Sequence, residues 1–189
     1  MTMKNLSQAL TLGILPVFLL SMPFSLPLSI ADDDIEQAPL QVSFVPGFGT
    51  HPSGNVSVDF SVNILGGRIA EVRKFEIGSL FNWNTVAMSG VQLSGLANFV
   101  EGDVSGVQMS GLGNITLGSS ASITFAGLAN YTGAEMAGLG FAGMANIAQQ
   151  EMAGIYMAGL ANVNMAENAG IFFAGLGNYA EEEAAGIYF

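Results

Sequence analysis

Few residues in this chain carry groups that could do chemistry, and the most regular of them are carboxylates. Glu71, Asp103, Glu135, Glu151, Glu167 and Glu183 fall on one sixteen-residue grid, interrupted by Ala87 and Ser119. Neighbouring carboxylates are the donors that Ca²⁺ takes. They are also what solvated turns carry to keep an array soluble, and that plainer role is the expected one. No loop has the EF-hand or nonapeptide calcium pattern. Paired carboxylates for glycoside cleavage would need a cleft, which regular turns do not make. The single histidine, His51, lies in a Gly/Pro-rich turn with no serine or acid pattern beside it, and reads as a solvated loop residue. With one histidine and no cysteine, zinc and thiol chemistry lack a ligand set. Gly138-Leu139-Gly140-Phe141-Ala142-Gly143 matches the glycine fingerprint of dinucleotide loops. It has no βαβ setting and no downstream acid at the right distance. No catalytic, metal or cofactor-binding residue is assigned, no cofactor is expected, and the chain does not read as an enzyme.

The glycines have another origin. Asn82, Asn98, Asn114, Asn130, Asn146, Asn162 and Asn178 recur at a spacing of sixteen. With each unit ended on its asparagine, Gly138 and Gly143 are repeat glycines, with equivalents at Gly154 and Gly159, and Gly140 is an incidental substitution. Column nine runs from Phe75 through Ile155 to Ile187, and column eleven from Ile77 through Met157 to Phe189. Column fourteen is leucine, or Met144. Column one is mostly large and apolar, from Trp83 to Tyr179.

These columns must be placed by elements. Columns nine and eleven alternate as a strand does. Two glycines per unit, at about 1 kcal/mol each in a helix interior, disfavour helix. The expected fold is all-β: a β-solenoid of sixteen-residue coils with an N-terminal β cap. Columns nine, eleven and fourteen are its expected core, and the asparagines an amide ladder. The alternative is an outer-membrane up-and-down β-barrel with one strand per repeat, which would place the chain in the outer membrane with a small pore as its candidate function. Equal connection lengths favour the solenoid, because an up-and-down barrel has a natural period of two units. In column ten, Glu76, Gln92, Gln108 and Thr124 give way to Tyr156, Phe172 and Tyr188. If that column faces outward, the three aromatics are a contact surface for a protein, glycan or lipid.

Residues 1–31 read as a signal peptide: Lys4 precedes an apolar stretch from Ala9 to Ile30, and small residues stand at Ser29 and Ala31. Residues 32–66 are the expected cap or first strands, and 67–189 the repeat array. The chain has 15 acidic residues against 4 basic ones, a formal net charge of -11. Such a chain repels nucleic acid phosphates, so no nucleic acid partner is expected.

The phrases "VSFVPGFGT", "FSVNILGG" and "FEIGSLFN", followed by "SGVQLSGLANF" and "SGVQMSGLGN", carry a resemblance. The chain resembles a family of secreted bacterial surface-repeat proteins with G-V-Q-x-(small)-G-L-x-N units, known from spirochaetes and Bacteroidetes. Later units depart from that pattern, with Thr124, Gly140, Tyr156, Phe172 and Tyr188 where Gln92 and Gln108 stand earlier. The resemblance implies an exported protein at the cell surface, outer membrane or periplasm, with no known activity and no functional residues to carry over. A structural or adhesive scaffold is the expected function.

Overall fold

The computed structural model describes residues 35–182 and 184–189. The expected signal peptide and Glu183 of the acidic column lie outside the described residues. Ile35–Phe189 forms one compact unit. All regular structure in it is strand. Each coil from Asp103 onward supplies a long strand, such as Met136–Ala142 or Met152–Ala158, and a short one, such as Ala145–Ala148 or Ala161–Asn164. Long strands pair in parallel with long strands and short with short. Asn130 stands opposite Asn146, and Gly138 opposite Gly154, so equivalent residues are neighbours. This is a β-solenoid. An up-and-down barrel needs antiparallel neighbours, so the barrel alternative is overturned.

Two glycine columns set the shape of the coil. Column eight bends the long strand, with φ of +91° at Gly90, +116° at Gly138 and +135° at Gly154, in the region that side chains resist. In the coil where Ser122 replaces that glycine, the strand Ser120–Ala126 alternates without a break between buried and exposed residues. Column thirteen closes the next turn. There a Cβ on Gly143 would stand 2.1 Å from the Gly127 carbonyl oxygen of the preceding coil. Close stacking of backbones, not nucleotide binding, therefore explains Gly138 and Gly143.

The face that each column presents differs from expectation. Columns two, six, ten and sixteen point inward, while nine, eleven and fourteen are half-buried or exposed. The glycine and leucine of columns thirteen and fourteen form an outward turn, so the strand never continues through them with shifted parity. The interior therefore mixes apolar clusters with amides. Val56, Val58, Ile69 and Val72 form one cluster, and Met88, Val100 and Val104 a second. Met136, Ala148, Met152, Tyr156 and Phe172 form a third.

The N-terminal segment joins the same stack. Glu36–Val45 pairs in parallel with Val56–Asn63, and that strand with Gly66–Gly78. Phe48–Gly49 folds back antiparallel on the first strand. Ser57 pairs with Glu71, Phe60 with Phe75 and Glu71 with Ala87. Two register shifts, between Val58 and Phe60 and between Ile69 and Glu71, lengthen the coil to its final sixteen residues. Each is an inserted residue of the kind that a β-bulge accommodates.

Candidate functional site

The expected asparagine ladder is present. Each Nδ2 donates to the Oδ1 of the next asparagine, as from Asn82 to Asn98 and from Asn130 to Asn146, both at 2.9 Å. It also donates to the column-eleven carbonyl of the next coil, as from Asn146 to Met157 at 3.0 Å. One amide thus ties short strand to long strand and coil to coil. Asn82 to Asn162 are buried, and Asn178 is half-buried. Asn63 donates to Asn82 at 2.8 Å and is a further member of the ladder. The sixteen-residue grid missed it because the first coils are irregular.

Column ten holds a second ladder. Glu76 accepts from Asn63 Nδ2 at 2.9 Å and Gln92 Nε2 at 2.8 Å, and Gln92 Oε1 accepts from Gln108 Nε2 at 2.8 Å. Burial pushes the Glu76 carboxyl above its ordinary range, opposed by the amides of Gln92, Asn84 and Asn63 and the Ser61 hydroxyl. Sequence reasoning assigned no role to this acid. Its signal was a carboxylate in the column otherwise filled by Gln92 and Gln108.

Tyr156, Phe172 and Tyr188, expected outside, are placed inside: Tyr156 and Phe172 are buried and Tyr188 is half-buried. Their rings stack at 5.7 and 5.2 Å. Parity with Gln92 and Gln108 dictates this placement, because all share the inward column. Gly140 makes room for the stack, since a Cβ there would meet the Tyr156 ring at 2.5 Å. Its glycine is therefore not incidental. The Tyr156 hydroxyl donates to the Met136 carbonyl at 2.8 Å, satisfying the one polar atom of the ring.

The outward columns carry the apolar surface. Column eleven forms a half-exposed ladder, with Phe125 stacked on Phe141 at 4.8 Å and Phe173 on Phe189 at 4.7 Å. Beside it a trough of about 1310 Å³ is lined by the column-eleven side chains on one side and by the small residues of column twelve and the glycines of column thirteen, from Val62 to Phe189. The leucines of column fourteen stand at the turn beyond, from 40 % exposed at Leu80 to 82 % at Leu176. The acids Asp103, Glu135, Glu151 and Glu167 are exposed at the other turn. His51 is half-buried, with Nδ1 3.1 Å from Thr50 Oγ1. Among the described residues, no group of three or more His, Asp or Glu is placed to hold a metal ion.

Fold and surface together define a β-solenoid repeat protein with an amide-laddered interior and an apolar exterior. Comparison with known proteins finds no matching family model, no matching curated protein and no matching solved structure.

Proposed function

We propose that this chain is a non-enzymatic repeat protein of the cell envelope or surface, acting as a structural or adhesive scaffold. The observation that supports this reading is the inversion of the coil. Asparagines fill column sixteen and Gln92 and Gln108 stand inward in column ten, while Val, Ile, Leu, Met and Phe side chains stand outward in columns nine, eleven and fourteen. Soluble monomers rarely expose contiguous apolar patches beyond a few hundred Å², and larger ones mark contact sites. The apolar stretch from Ala9 to Ile30 and the resemblance to exported surface repeats supply the location. The test is fractionation of a diderm bacterium expressing the full chain, with intact mass of the recovered protein. The expected result is a chain in the envelope or surface fraction that lacks residues 1–31. Retention in the cytosol with those residues attached overturns the reading.

A further inference from the structure

We infer that the long-strand face of the solenoid docks against the same face of a second copy of this chain, with the two stacks running parallel. Column eleven forms a ridge, represented by Leu93, Met109, Phe125, Phe141, Met157 and Phe173, and the trough of about 1310 Å³ lies directly beside it. A ridge next to a trough on one face is self-complementary under one kind of two-fold axis. An axis along the stack carries each ridge into the other copy's trough, like coil facing like coil. An axis across the stack would set ridge on ridge. Closed two-fold pairing of this sort is the commonest symmetry of soluble oligomers.

Area and charge both favour this occupant. Seven coils at ~4.8 Å, by the five residues from column nine to column thirteen at ~3.3 Å each, give a projected face of about 550 Å² beyond the column-eight bend, and a ridged face has more accessible surface than its projection. That approaches the roughly 800 Å² per partner of a standard stable interface. From Ser89 to Gly175 no charged residue stands in columns seven to thirteen. Every acid in that span, Glu101 and the column-five carboxylates, lies in columns three to five. Two copies therefore meet without burying a charge, and the acids stay in water. This inference concerns the partner of the face and holds wherever the protein is exported.

The chain has no cysteine, so single cysteines report cleanly. Full-length Leu93→Cys and Phe173→Cys proteins, one carrying a mass tag, are treated with a short bismaleimide separately and mixed. The expected result is self-crosslinking of each, with no mixed Leu93–Phe173 product. Adding Met109→Glu with Met157→Glu lowers the yield at least tenfold while circular dichroism keeps its strand signal. If that pair unfolds, Met109→Gln with Met157→Gln lowers the yield in the same direction. The glutamates report on this face alone, so association through the apolar residues 9–30 leaves the comparison intact. A mixed Leu93–Phe173 product overturns the parallel axis. No crosslink, or one that the glutamates leave unchanged, overturns the face. Flotation with phosphatidylcholine vesicles that the glutamates abolish, without crosslinked dimer, assigns the face to lipid and overturns the proposal.

Discussion

Glu76 is a carboxyl wholly removed from water, held by the amides of Asn63 and Gln92. Removing a carboxylate from water disfavours its charged form, and the hydrogen bonds here offset only part of that, so its pKa in the fold lies above the ordinary 4.5. The folded chain then binds this proton more tightly than the unfolded chain. The stability contributed is fully present below about pH 4.5 and is lost as pH rises through the raised folded value. The exposed acids act in the same direction through the self-repulsion of a net charge of -11. Glu76→Gln separates the two, because it leaves the exposed acids in place and supplies an amide that does not titrate. Urea midpoints measured from pH 4.5 to 8 are expected to fall with pH in both proteins, and less steeply in Glu76→Gln. Parallel curves would show that folding does not raise the Glu76 pKa.

At the scale of the element, the glycine columns decide how closely coils stack. Gly154 has φ +135°, and an added Cβ would lie 2.0 Å from the Gly138 carbonyl oxygen. Neither backbone can yield without displacing a paired strand. Gly177, in the short strand Gly177–Ala180, has nothing within 4 Å of such a Cβ and no positive φ. Gly154→Ala is expected to cost more than ~3 kcal/mol, in the range reserved for strain and overpacking. Gly177→Ala is expected to be neutral or to stabilise by roughly 0.4–1 kcal/mol through the unfolded chain. Chemical denaturation of both checks this, and equal losses would remove stacking distance as the reason for column eight. The same columns explain what the sequence made legible. From Asn82 onward the coils stack backbone on backbone without a register shift and so keep one length, which is why the period from Asn82 to Asn178, the parallel pairing and the asparagine ladder could all be read. The orientation of columns nine to eleven could not. Alternation defines two faces without saying which is inside, and burying the more apolar face is the usual guide. Here that guide fails, because Glu76, Gln92 and the column-sixteen asparagines satisfy one another along the stack. The signal that could have decided it was Gln92 and Gln108, amides sixteen apart that can form their own inward ladder.

For the whole solenoid unit, stability belongs to the array, since each coil contacts little beyond its two neighbours. Removing Ile147–Asn162 takes out one coil. Asn146 then meets Asn178 as it met Asn162, and the carbonyl of Phe173 replaces that of Met157 as acceptor for its Nδ2. Gly140 faces the Phe172 ring in place of Tyr156, so the aromatic stack keeps its entry point. One interior bond, from the Tyr156 hydroxyl to the Met136 carbonyl, is lost together with its donor and leaves no orphaned hydroxyl. Removing only Ile147–Gly154 deletes half a coil. The short strand Ala145–Ala148 and the bend at Gly154 disappear, and the asparagine ladder breaks between Asn146 and Asn162. Both donors and acceptors are then buried without partners on each side of the cut, at about 1–3 kcal/mol apiece. The sixteen-residue deletion is expected to give a protease-resistant chain that unfolds cooperatively in urea, with a smaller m-value because less surface is exposed. The eight-residue deletion is expected to be digested back to its N-terminal coils. If the longer deletion is as protease-labile as the shorter one, the coil is not the unit of stability, and coupling along the stack extends beyond nearest neighbours.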